Sequence, residues 1–185
     1  MSSQSGSEPC FTNLFRPIER AAKDKASDLR WCQMATTGLD GTAKLRTLVL
    51  RGTDRDAHQL LFYTDRRSPK MAEIQARREV SCLFFSSAQQ VQYRFSGIAT
   101  IHIKNSLWQR HWDRLKPYAR RDYASARAPG LTGETDYADA LAIENFALIA
   151  CRFTQLDWLS LSREGHQRYI FSWTGDTLTR NKIVP

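Results

Sequence analysis

The chain has 185 residues, 42% hydrophobic and 25% charged, with a net charge of +8 at neutral pH. That length holds one domain with a proper core rather than two, and no apolar stretch reaches the length of a membrane span. The positive balance excludes an acidic, solvating chain and suits an anionic ligand, either a phosphorylated small molecule or a nucleic acid.

The N-terminus, MSSQSGSEPC, is polar and has no apolar h-region, so residues 1–11 are expected to be disordered and no secretory signal is expected. A single domain then spans 12–185. From Thr12 or Asn13 a helix is predicted, with Leu14, Phe15, Ile18 and Ala22 on its apolar face. Trp31 to Thr37 reads as a strand, and Gly38-Leu39-Asp40-Gly41 as a tight connection to the next strand. In that strand, Leu45 to Arg51, the alternation puts Arg46, Leu48 and Leu50 on one face and Leu45, Thr47, Val49 and Arg51 on the other. A turn over 52–58 leads to the strand Gln59 to Thr64. Ser68 then supplies an N-cap and Pro69 a first helical residue.

Val80 to Phe85 is a short buried strand. Gln90 to Ile103 is a longer one, with Gly97 marking a bulge or a close backbone approach. After an Asn105-Ser106 cap, Leu107 to Leu115 is helical. Pro117 to Gly133 is the least regular segment, a loop rich in Arg and Tyr that suits either a solvated surface or a substrate lid. A helix over Thr135 to Asn145 and strands at Phe146–Phe153, Gln155–Leu161, Gln167–Phe171 and from Thr177 complete the chain. Many strands with a few peripheral helices make a mainly β, α+β fold, an antiparallel barrel.

The charge is concentrated in two segments. Residues 44–70 hold seven Lys/Arg against three Asp, and residues 102–128 hold seven against two. Within the first, Arg46 with Tyr63, Thr64, Ser68 and Lys70 has the residue types that hold a phosphate, and an ordinary basic hairpin fits equally well. The four cysteines, Cys10, Cys32, Cys82 and Cys151, make no C-x-x-C pair, and the four histidines have no metal-ligand spacing, so no metal is expected. Cys82 and Cys151, in apolar runs, are expected to be buried thiols of a cytoplasmic protein. Nucleophile elbows, Walker loops and dinucleotide-binding glycine motifs are absent, which leaves the chemistry to a cofactor.

Arg46-Thr47-Leu48-Val49-Leu50-Arg51, Phe62-Tyr63-Thr64, Ser68-Pro69-Lys70 and Gln92-Tyr93-Arg94 ahead of Gly97 stand in an order and spacing that resembles the pyridoxamine 5'-phosphate oxidase-like family of FMN-binding split barrels, in its shorter branch. The resemblance implies that Arg46 and Lys70 hold the FMN phosphate, with Ser68 at the helix start and Tyr63 and Thr64 beside the cofactor. It implies that the backbone of Thr47, Leu48 and Val49 runs along the flavin ring. It further implies that Gln92 reaches the flavin from a second subunit, with Arg94 on the same strand face, and that Trp158 and Arg168 lie beside the ring. Arg51 and His166 are implied as substrate contacts, and a homodimer as the active form. Two residues depart from the family pattern: Pro69 replaces an arginine, and Glu164 stands where a substrate-gripping cation belongs.

The resulting reading is an FMN-dependent oxidoreductase, homodimeric, acting on an anionic small molecule. A flavin-binding protein without turnover is the alternative. A basic barrel binding nucleic acid through the Trp, Tyr and Arg residues of 102–128 ranks last.

Overall fold

The computed structural model describes residues 9–163 and 165–185. Its first helix, α1 (Phe11–Ala21), starts one residue ahead of the expected position, so the tail that sequence reasoning took as disordered already contains a helical residue at Phe11. Residues 1–8 lie outside the described part. Phe11, Phe15, Ile18 and Ala21 are buried, at a spacing that makes one helical stripe.

Eight strands follow, interleaved with four short helices: β1 (Trp31–Thr37), β2 (Ala43–Asp54), β3 (Gln59–Asp65), α2 (Pro69–Ala76), β4 (Glu79–Ser86), β5 (Val91–His102), α3 (Ser106–Asp113), α4 (Pro117–Arg120), α5 (Asp139–Asn145), β6 (Phe146–Ser160), β7 (Gln167–Thr174) and β8 (Thr177–Ile183). Every pairing is antiparallel, in the order β3-β2-β1-β4-β5-β6-β7-β8, and β3 also pairs with β6. That extra pairing closes six strands into a barrel and leaves β7 and β8 as an extension outside it. Among the described residues no helix is long and apolar enough to cross a membrane.

The two strands expected at 146–153 and 155–161 are one continuous strand, β6. Its first half, Phe146 to Arg152, pairs with β3, and its second half, Gln155 to Ser160, pairs with β7. β5 runs along almost all of it, with a bulge: Gly97 faces Phe153 and Ser96 faces Gln155, so Thr154 is the extra residue. The polar Thr154-Gln155 pair that reads as a break in the sequence is this bulge.

The barrel interior is filled by Met34, Leu50, Phe62, Phe84, Phe95 and Phe153, all essentially inaccessible, and Phe171 of β7 extends the same core. Phe15 of α1 plugs the barrel, its ring centroid 6.0 Å from Phe95 and 5.5 Å from Phe153. Cys32, Cys82 and Cys151 are buried free thiols in the same interior, and burial pushes the Cys32 thiol well up.

A second, smaller core lies outside the barrel, where Trp108, Trp112, Tyr123 and Phe146 pack together. It corrects two expectations. The aromatic residues Trp108, Trp112 and Tyr123 of the basic segment are turned inward and offer no stacking platform for bases. The segment from Pro117 is not a loose lid, because it forms α4 and a 3-10 turn at Arg121–Tyr123 that is tied to the body. Asn145 Nδ2 donates to the carbonyls of Tyr123 (2.9 Å) and Ser125 (3.1 Å), and Arg67 donates to those of Ser125 and Ala126. The helix expected from Thr135 begins only at Asp139, since the Thr135 hydroxyl is committed to Arg127 and Ser125 of this loop.

Candidate functional site

Two basic side chains from different elements meet at the end of α2. Arg46 points inward from β2, where it donates to Thr36 Oγ1 (2.5 Å), to the Met34 carbonyl (3.4 Å) and to Glu73 Oε2 (2.5 Å). Lys70, the second residue of α2, donates to Thr64 Oγ1 at 3.0 Å and to Ser68 Oγ. Ser68 takes the N-cap position and Pro69 the first helical position, as expected, but the Ser68 side chain makes no cap hydrogen bond and serves Lys70 instead. Burial and the nearby Arg46 both push the Lys70 ammonium down from its ordinary value. Two cations are therefore held close together, half-buried, Arg46 paired with Glu73 and Lys70 held by two hydroxyls. A lysine carries three N–H donors, and two are used here, so one remains for an incoming oxygen. This donor set fits a phosphate.

The other predicted residues divide by the alternation of the strands. Thr47 and Val49 of β2 face outward, and Leu48 packs against the barrel core. Gln92 and Arg94 of β5 share the outward face with Asp157 of β6 and Arg168 of β7, because Arg94 pairs with Asp157 and Gln92 and Arg168 both pair with Leu159. Arg94 Nη2 donates to Asp157 Oδ2 at 2.5 Å, and Arg168 donates twice to the same carboxylate, at 3.0 and 2.7 Å. Trp158 faces the other way, inward beside Tyr169, and the structure does not bring it to Arg94 and Arg168. His166 is exposed, and Glu164 lies outside the described residues.

Burial alone would raise the Asp157 carboxyl, but Arg168 and Arg94 more than reverse that and hold it below the usual range. A carboxylate depressed on folding stabilises the fold above its unfolded pKa of about 4, and that contribution fades as pH falls through the folded value. Asp157→Asn should therefore cost about 1–3 kcal/mol at neutral pH. Thermal midpoints taken from neutral pH down should show the gap between variant and wild type closing below pH ~4.

Tyr63 and Thr64 are adjacent in β3 and so face opposite ways. Thr64 meets Lys70, whereas Tyr63 lies outside the barrel, its hydroxyl 2.8 Å from His111 Nδ1 and the Arg51 guanidinium 5.6 Å from its ring centre. Arg46 and Arg51 thus lie on opposite faces of β2, as the alternation predicts. Burial, then Arg114 and Arg110, push the His111 imidazole down from its ordinary value. Sequence reasoning missed Thr36, Glu73, Asp157 and His111. The i+3 step from Lys70 to Glu73 was a readable helical neighbour pair; the others depend on strand register. Among the described residues no cluster of His, Cys, Asp or Glu has the makings of a metal site.

Residues 12–103 match the family described as pyridoxamine 5'-phosphate oxidase, FMN-binding domain. The pyridoxine/pyridoxamine 5'-phosphate oxidase 2 of Arabidopsis thaliana is 34% identical over 85 residues, which are 45% of this chain and 41% of that protein. The chain thus aligns with less than half the length of that relative. A pyridoxamine 5'-phosphate oxidase-related, FMN-binding protein from Nostoc punctiforme superposes with a TM-score of 0.80 over 97% of this chain and 99% of that one, at 24% identity. PhzG from Burkholderia lata, solved with tetrahydrophenazine-1-carboxylic acid, superposes at 0.74 over 98% and 95%, at 20% identity. At such identities the two structures speak to fold alone, and the fold is the same. The family match falls on the residues that build the Arg46–Lys70 cradle, and the chain belongs to the pyridoxamine 5'-phosphate oxidase-like family of FMN-binding split barrels.

Proposed function

We propose that the protein holds FMN between two copies of the chain and works as a flavin-dependent oxidoreductase on an anionic small molecule. The observation that carries this reading is the convergence of Arg46 and Lys70, with the Thr64 and Ser68 hydroxyls, at the end of α2. The FMN phosphate is placed on these four side chains, and the flavin ring along the backbone of Thr47, Leu48 and Val49. Bound there, the flavin supplies a two-electron hydride acceptor. The protein's part is to hold and orient it with preset charges.

A second copy is called for by the outer sheet face. Trp31 of β1, Leu45 of β2 and Phe85 of β4 stand on that face at 51%, 69% and 40% exposure, and Phe85 is the cross-strand neighbour of Gln92 in β5. Apolar side chains of that size, grouped on one sheet, mark an association surface. A partner laid there covers them and brings Gln92, Arg94 and Arg168 to the flavin. Trp158 reaches the ring only by turning from its inward packing. Arg51, on the outer side of β2, and His166 are assigned to the substrate. The buried free thiols suit a reducing compartment, and we place the protein in the cytoplasm.

The test is the purified protein itself. It should be yellow, with the absorbance of bound flavin, and should sediment as a dimer. A colourless protein that takes up no added FMN sinks the reading, and a flavin-loaded monomer sinks its dimeric part.

A further inference from the structure

A cluster of cations without ion-pair partners among the described residues lies away from the Arg46–Lys70 cradle. A cleft of about 720 Å³ opens between α1, the β2–β3 hairpin and α3, and its rim carries Arg16, Arg20, Lys23, Arg51, Arg110 and Arg114. Two acids share the cleft, and both are engaged. Glu19 is held by Arg55 through two hydrogen bonds of 3.0 Å, and Asp54 accepts from the backbone N–H of Ala57. None of the six rim cations has an ion-pair partner among the described residues. Their crowding is felt by neighbours: burial and then Arg51 push the Arg30 guanidinium down, and Arg114 and Arg110 add to the burial that lowers His111. Like charges gathered around a concave, partly apolar wall focus a positive potential that an anion relieves.

The size and layout of the cleft say what kind of anion. Its volume is that of a site for an organic ligand rather than for a single oxyanion. The cations come from three directions. Arg16 and Arg20 are a helical i, i+4 pair on α1, Arg110 of α3 stands one turn before Arg114 at that helix's C-cap, and Arg51 rises from β2. Leu61 and Leu107 supply an apolar stretch of wall. We propose that this cleft binds an organic diphosphate of the nucleoside diphosphate class. The two linked phosphates bridge α1 and α3 over Arg51, and the organic part lies on Leu61 and Leu107. The proposal shares Arg51 with the substrate contact assigned above and is otherwise independent of the flavin, since Arg46 and Arg51 face opposite sides of β2.

Calorimetric titration of the full chain as purified, with ADP and with inorganic phosphate, tests it. ADP should bind at least about tenfold more tightly than phosphate. The affinity should fall as salt rises from about 50 to about 200 mM. Arg16→Gln/Arg20→Gln and Arg110→Gln/Arg114→Gln should each weaken ADP by about tenfold or more. Arg66→Gln/Lys182→Gln, which removes the same charge elsewhere, should not. Arg46→Ala/Lys70→Ala should still bind ADP. A colourless protein that binds ADP would refute the flavin reading and leave this one standing. No ADP binding, equal weakening by the control pair, or loss of ADP in Arg46→Ala/Lys70→Ala overturns the proposal. So does a single-stranded oligonucleotide that displaces ADP at far lower concentration, since the site would then be an interface for nucleic acid.

Discussion

Arg46→Ala combined with Lys70→Ala is expected to yield protein that emerges from purification without flavin. In the proposed site each side chain offers a charge-assisted hydrogen bond to the phosphate, and such bonds contribute about 1.5–3 kcal/mol apiece. Losing both removes about 3–6 kcal/mol, a fall of two to four orders of magnitude in affinity. The fold loses something as well, because the mostly buried Glu73 is left with only the Thr36 hydroxyl. Adding Glu73→Gln to the double variant separates the two effects. The buried charge disappears and the thermal midpoint should recover, while the flavin-to-protein absorbance ratio should stay low. Wild-type flavin content in the double variant would show that the phosphate sits elsewhere.

Gly97→Ala is expected to be the most damaging single methyl group in the chain. A Cβ at that position would stand 2.1 Å from the Arg152 carbonyl oxygen and 2.5 Å from Phe153 Cα. Both are backbone atoms of β6, so no side chain can swing aside. The β5–β6 ladder must separate at its bulge, and the cost should exceed the usual 1–3 kcal/mol of overpacking. For a chain of this size that lowers the thermal midpoint by at least about 6 °C. Gly175 makes the contrast. It turns the β7–β8 hairpin at φ 60° with nothing within 4 Å of the added carbon, so Gly175→Ala costs only the left-handed strain of about 1–2 kcal/mol. A midpoint for Gly97→Ala no lower than that of Gly175→Ala would show that the strands give way at the bulge.

The strands were legible because their periodicity is strong. Trp31–Thr37 was placed to the residue, and the opposite orientations of Arg46 and Arg51 followed from alternation alone. Gly97 was readable as a close approach because a glycine inside a long strand has few other uses. The bulge that it faces was not, since Thr154-Gln155 looks like a turn until β5 is laid beside it. Asp157 stayed hidden for a related reason: its partners Arg94 and Arg168 are brought to it by register across two strands, from 63 and 11 residues away. The aromatic residues of 102–128 misled in the other direction. Interleaved with arginines they look like a base-stacking surface, but α3 turns Trp108 and Trp112 onto Phe146. Only the outer wall of the barrel decides that, and it is assembled from Tyr63 of β3 and Phe146 of β6, on either side of α3 in the chain.

The division of β6 into a barrel half and an outer half also has a dynamic consequence. β8 can peel from β7, and β7 from β6, without breaking any hydrogen bond that closes the barrel. β8, exposed along almost all of its length, is therefore expected to open more readily than the six closed strands, while β7 is held by Tyr169 and Phe171 in the core. Arg168 rides on β7, fastened to the barrel by Asp157, whereas Arg46 and Lys70 belong to the barrel and its α2 cover. The residues assigned to one flavin thus sit on strands held by different pairings. Amide hydrogen exchange should accordingly be faster in β8 than in β2 and β3, the strands that carry Arg46 and Thr64.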